Sequence, residues 1–223
     1  MRTISVTVGP LVTAANNNIA VSQTQTVAGA LILNGTLGTG TTLVLTGVAT
    51  LDTPRRIIIH DSGADTGVTW TVIGTNWAGN TITEALTGTS GSNVTSVLDY
   101  ATVTSIASNV AAAGAVYVGT TTTACSPWVR FDEWAPASIS AQFTVTGTIN
   151  YTLQTSFDDP NDLVNAVAPA SMDWDSTISP VVGASASTSA AFAISPLWAR
   201  ILLNSGTGSV KGAFAQFSQV PSV

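Results

Sequence analysis

Histidine is the side chain best suited to moving protons near neutral pH. This chain has one, His60, followed directly by Asp61 and Ser62. These are the residue types of a nucleophilic triad, but a triad needs them to converge, with the serine exposed on a strained turn. Consecutive residues of a strand point to opposite faces, so His60 and Asp61 diverge. No Gly-x-Ser-x-Gly elbow supplies the turn. No catalytic residue is assigned, and the expectation is a protein that is not an enzyme.

The densest set of oxygen ligands is Asp158, Asp159 and Asp162, with Asn161 among them and Asp173 and Asp175 downstream. Calcium takes roughly six to eight such oxygens in irregular geometry, so these three aspartates are the metal candidates. The spacing lacks the glycine and distal glutamate of an EF-hand loop, and Asp, Asn and Pro equally make solvated turns. Gly35, Gly38 and Gly40 are closely spaced, but no Gly-Lys-Ser/Thr ending follows. A phosphate cradle needs that ending and a helix after it, so the run reads as a hairpin turn, and no cofactor is expected. Six tryptophans, Trp70, Trp77, Trp128, Trp134, Trp174 and Trp198, could stack on sugar rings or fill cores and interfaces. The segment from Trp128 to Trp134 alone mixes aromatics with both signs of charge. Trp128, Arg130, Phe131 and Trp134 are therefore the candidate interface, docking the two halves of the chain or neighbouring subunits.

Charged residues make up only 8% of the 223, against about 25% in an ordinary soluble domain. Hydrophobic residues reach 45%, so a packed core is available and disorder is excluded. Thr, Ser, Ala, Gly, Val and Asn replace charge, which suits close packing against other subunits, where charges would have to be desolvated or paired. Net charge is −6, and the only basic residues are Arg2, Arg55, Arg56, Arg130, Arg200 and Lys211. Phosphate neutralisation needs clustered cations, so nucleic acid is not an expected partner. Cys125 is alone, which excludes an intramolecular disulfide. No apolar run is long enough for a membrane helix, and the opening residues lack a secretory h-region. Folding in a cytoplasm is expected.

Positioning falls to strands. Ile139, Ala141, Phe143 and Val145 alternate, Gly147 interrupts, and Ile149, Tyr151, Leu153 and Phe157 resume at period two. Ala199, Ile201 and Leu203, a Gly-rich turn at 204–209, then Val210 and Phe214 predict a hairpin. Residues 56–60, 68–74, 81–86, 100–106 and 115–120 read as further strands, with a turn at 76–80. The Ala/Ser runs at 108–115 and 185–193 lack a capped helical face. The predicted fold is all-β, two sandwich or jelly-roll-like units. Residues 1–24 are an extended N-terminal arm suited to strand addition, 25–122 the first unit and 127–220 the second, with the break in the Thr-rich stretch 120–127.

Residues 55–88 run Arg-Arg-Ile, Asp61-Ser62-Gly63, Thr69-Trp70-Thr71-Val72-Ile73-Gly74-Thr75 and Gly79-Asn80-Thr81-Ile82-Thr83-Glu84. Together with 102–106, 115–120, 147–154, the Asp158-Asp159-Pro160 turn and 201–209, they resemble a pattern of tailed-bacteriophage virion accessory proteins. The resemblance covers about two thirds of the chain and carries no catalytic residues. It implies a β-rich structural protein of the virion. The first expectation is a capsid decoration (cement) protein that bridges major-capsid subunits, as a homo-oligomer with a trimer the first guess. The alternatives are a tail, collar or baseplate ring component, and a host-surface glycan-binding adhesin.

Overall fold

Thr, Val and Ile fill the alternating runs, and β-branched side chains fit a pleated surface better than a helix. The computed structural model describes residues 2–41, 47–131, 137–178 and 181–218. The first strands are β1 (Arg2–Val8), β2 (Ala20–Thr24), β3 (Gly29–Ala30), β4 (Ala49–Asp61) and β5 (Thr69–Thr75). Next come β6 (Thr81–Thr87), β7 (Asn93–Thr95), β8 (Tyr100–Ser108), β9 (Ala115–Cys125) and β10 (Val129–Arg130). The last are β11 (Ala137–Thr146), β12 (Ile149–Ser156), β13 (Thr188–Ala191), β14 (Trp198–Gly206) and β15 (Ser209–Ser218). Among the described residues the only helical element is a 3-10 turn at Pro169–Ser171. The fold is all-β, and both Ala/Ser runs stay non-helical.

The chain forms two compact units, Val12–Thr122 and Met1–Leu11 with Thr123–Val223. This division differs from the expected one at the N-terminus, where residues 1–24 do not form one arm. β1 pairs β15 along its whole length, from Arg2 opposite Gln216 to Val8 opposite Val210. β2 instead pairs β9. Val8 is buried at the end of an Ile4, Val6, Val8 alternation that the polar residues on either side obscure.

In the Val12–Thr122 unit an antiparallel sheet of order β9-β4-β8-β5-β6 curls over one core, with β2, β3 and β7 added at β9, β8 and β4. Trp70, Tyr100, Ile57, Ile59 and Ile106 lie at its centre. The β5–β6 hairpin has the expected register, Thr75 opposite Thr81. Asn76 Oδ1 accepts from Ala78 N and Asn80 N at its turn, at 2.9 and 3.0 Å. Arg55 has no exposed surface. Its Nη1 donates to Val12 O at 2.8 Å and to Asp52 Oδ1 at 3.1 Å, and its Nε donates to Thr121 O at 3.1 Å. Asp52 Oδ2 in turn accepts from Val12 N at 2.6 Å.

The other unit is a sandwich. One sheet has the order β1-β15-β11-β13; the facing strands are β10, β14 and β12, with Ala124 and Cys125 at the end of β9 pairing Leu203 and Leu202. Ile139, Phe143, Val210 and Phe214 from the first meet Tyr151, Leu153, Ile201 and Leu203 from the second. The expected hairpin at 199–216 is therefore corrected: β14 and β15 lie in different sheets and do not pair. The Gly-rich turn crosses between sheets, as does the turn from β11 to β12. The two crossings press together. Thr207 N and Gly208 N both donate to Thr148 O, and a Cβ on Gly208 would stand 2.3 Å from Thr146 O. Gly206, at φ +112°, likewise has Thr148 O where a side chain would begin. Only glycine fits both the angle and the space.

We expect Arg55→Met to cost about 1–3 kcal/mol, because it removes the buried donor that Val12 O, Asp52 and Thr121 O share. Urea unfolding followed by a probe in the Val12–Thr122 unit checks this, and a loss below about 1 kcal/mol would show that the network stabilises nothing.

Candidate docking surface

Trp128-Val129-Arg130 and Trp198-Ala199-Arg200 repeat one pattern, an aromatic and a guanidinium two residues apart. β10 and β14 pair antiparallel with Val129 opposite Ala199 and Arg130 opposite Trp198. Strand alternation sends Val129 and Ala199 into the core and puts all four large side chains on the other face. Antiparallel order then sets each tryptophan beside an arginine. Arg130 Cζ lies 5.7 Å from the Trp198 ring centroid, and Arg200 Cζ lies 5.9 Å from that of Trp128. Trp174, from the segment after β12, covers Arg200 at 4.0 Å. The rings meet at steep angles, Trp128 with Trp174 at 5.1 Å and with Trp198 at 6.0 Å.

The two arginines differ in their access to water. Arg200 is 7% exposed, and its Nε donates to Gln154 Oε1 at 2.8 Å. Gln154 Nε2 passes the chain on to Ser176 Oγ. Desolvation raises a cation–π contact from about 0.5–1 to about 2 kcal/mol, so Arg200 is where the stacking matters. Arg130 is exposed and its Nη2 donates to Asp159 Oδ2 at 3.2 Å; such a pair is worth about 0–1 kcal/mol.

Of the four sequence candidates, Trp128 and Arg130 are in this ladder. Phe131 is corrected to the core: it is 4% exposed and packs edge-on against Phe192 and Phe214 at 5.9 Å. It follows Arg130 and points to the opposite side, as alternation requires. Trp134 lies outside the described residues. Trp174, Trp198 and Arg200 were not among the candidates. The repeated Trp-x-Arg carried the signal for the latter two, whereas nothing local to Trp174 announces its contact.

The metal candidates are turned to other work. Asp159 holds Arg130 and the Asn161 amide. Asp162 Oδ1 accepts from Val164 N and Asn165 N at 2.7 and 2.8 Å. These amides, Asn165 first, hold the Asp162 carboxyl below its ordinary range. Asp158 Oδ2 accepts from Asp173 N. Among the described residues no three His, Cys, Asp or Glu gather as a metal site.

His60, Asp61 and Ser62 diverge. His60 stacks on Tyr117 at 4.3 Å, with Nδ1 2.7 Å from Asn93 Oδ1. Asp61 is buried, and Ser62 Oγ accepts from Ala115 N. A hollow of about 540 Å³ beside Tyr117 is lined by Ala14, Ala15, Asn16, Asn17 and Ser22. The one aromatic ring in this lining is already stacked.

No family model matches the chain, and no curated protein and no solved structure matches it.

A double-mutant cycle on Trp174→Ala and Arg200→Met should give a coupling of about 1–2 kcal/mol in urea unfolding; a value near zero would mean that Arg200 is merely covered. Phe131→Ala should cost about 3–5 kcal/mol and Arg130→Ala less than about 1. The reverse order would place Phe131 at a surface.

Proposed function

We propose that this chain is a structural virion protein of a tailed bacteriophage, acting as a capsid decoration protein that bridges neighbouring major-capsid subunits. The observation that carries the reading is the segment 157–178, which overlies the tryptophan–arginine ladder through Trp174. It contains five aspartates and no basic residue. It presents Phe157, Leu163 and Val164 to solvent at 62, 101 and 85% exposure. Large apolar side chains so far out of a core mark interaction surfaces when they cluster. The tip is tied in place by Asp162 and by Val167 N donating to Asp159 O at 3.1 Å, so docking would order little that is not already ordered.

The outer face of the other sheet supports the same reading. On the outer side of β1, β15 and β11 stand Thr3, Ser5, Thr7, Ala213, Ala215, Ser140, Gln142 and Thr144, with Lys211 as the charge among them. Such a face packs against protein without burying unpaired charge. Bridging several shell subunits raises affinity because each engaged site increases the effective concentration at the next. Among the described residues no tryptophan is fully exposed, which favours cores and contacts over a sugar-stacking cleft. The sequence resemblance to virion accessory proteins points the same way.

The test is light scattering of the purified protein, followed by sedimentation with undecorated phage shells. A trimer carried down by shells at hundreds of copies (an order of magnitude set by shell size), with Leu163→Asp weakening the binding at least tenfold, is the expected result. A hexameric or dodecameric ring that leaves shells bare would move the protein to the tail or collar. A monomer that binds no virion component would sink the structural reading.

A further inference from the structure

Asp61 and Asp65 flank the turn after β4, with no exposed surface at Asp61 and 3% at Asp65. Each commits one oxygen to the backbone. Asp61 Oδ1 accepts from Gly63 N at 3.1 Å, and Asp65 Oδ1 accepts from Ala113 N at 2.6 Å. Both Oδ2 atoms are buried without a partner among donors of fixed protonation, and the two carboxyl groups are within hydrogen-bond reach of each other. Two carboxylates in such contact do not both ionise; a single shared proton satisfies both.

The pair sits where three segments meet. Ser62 N donates to Ala115 O at 3.0 Å, Asp65 N to Thr89 O at 3.0 Å and Gly91 N to Gly63 O at 2.9 Å. Segments 88–92 and 109–115 contain no titratable side chain. The titratable neighbour is His60 on β4, whose field acts to lower the Asp61 carboxyl. The approach of the segments is close: a Cβ on Gly63 would stand 2.4 Å from Gly114 N and 2.8 Å from Asp65 Oδ2.

We propose that Asp61 and Asp65 form a one-proton latch, which ties loop 109–115 to the turn after β4 while the proton is present and releases that loop when it is lost. Burial, and then the bond to Asp65, raise the Asp61 carboxyl from 3.8 to about 6. Burial also acts to raise Asp65, but the bond from Asp61 and the amides of Ala113 and Gly114 carry it below the ordinary range. A raised value means that the closed form holds its proton more tightly than the open form does. The latch is therefore strongest below the ordinary value of 3.8 and weakens as pH rises through about 6. Asp65 is ionised throughout that window and adds no slope. Two pH units of difference correspond to about 100-fold in the open-to-closed ratio.

Amide hydrogen exchange, corrected for its intrinsic pH dependence, tests this on the intact chain between about pH 4.5 and 7.5, a window spanning the two values above. Protection at Ala113 and Gly114 should fall more than tenfold across the range, while the β5–β6 hairpin stays level. Asp61→Asn should abolish the fall, because its amide donates permanently to Asp65 Oδ2. Flat protection in the wild type would overturn the latch, as would a fall that persists in Asp61→Asn. Calcium restoring protection at the upper pH would overturn it too, by making the pair a cation site. Should Asp61→Asn fail to fold, carboxyl-carbon NMR of the wild type decides: no titration of Asp61 near pH 6 would also overturn it.

Discussion

A charge taken out of water has to be answered atom by atom, because bulk solvent no longer screens it and an unpaired buried ion costs several kcal/mol. Only 8% of this chain is charged, yet Arg55, Arg200, Asp61 and Asp65 are all buried. Arg55 shows what that demands. Its guanidinium draws Val12 O, Asp52 and Thr121 O to one point, so the start of the Val12–Thr122 unit, the strand β4 and the end of β9 cannot move independently. Arg200 is met differently: an amide oxygen and the faces of two tryptophans are among its contacts. A guanidinium is weakly hydrated and planar, so aromatic faces can replace part of its water. The Trp-x-Arg repeat delivers those faces at the cost of one register between two short strands.

Strand alternation was legible in the sequence wherever one side faces the core. With the β-branched run at 56–60 it finds β5, β6, most of β8 and parts of β4 and β9, and the β5–β6 hairpin follows from five turn residues between two runs. Alternation says which side of a strand is buried but not which strand lies beside it. The segment 199–216 therefore looked like a hairpin, while the structure sends β14 and β15 to opposite sheets. What decides is crowding at the crossing, where Gly206 and Gly208 press on Thr146 and Thr148. That contact joins turns about 60 residues apart, and no local pattern carries such information. The N-terminal strands were hidden for a related reason. β1 and β2 gain their partners from β15 and β9, and their own residues look like those of a polar extension.

The tryptophan–arginine ladder was half legible. Alternation already separates Arg130 from Phe131, so the structural assignment of Phe131 to the core was available from the sequence alone. Trp174 was not, since its contact with Arg200 depends on the path of residues 157–178 rather than on any period. The same segment explains why an acidic cluster need not be a metal site. Backbone amides and Arg130 take up the oxygens that an ion would require, and the aspartates shape the turns that hold Leu163 and Val164 outward.

One residue type thus serves opposite ends in this chain, and burial decides which. At Asp162 the carboxyl is open to water and meets two amides, which favours the charged form and keeps it below its ordinary range. At Asp61 burial outweighs the single amide, and the neutral form persists to about pH 6. Asp162 and Asp175, both held below the ordinary range by their hydrogen bonds, consequently keep their charge over the pH range in which the Asp61–Asp65 pair loses its proton. A change of pH across that range would loosen loop 109–115 without discharging those two carboxylates.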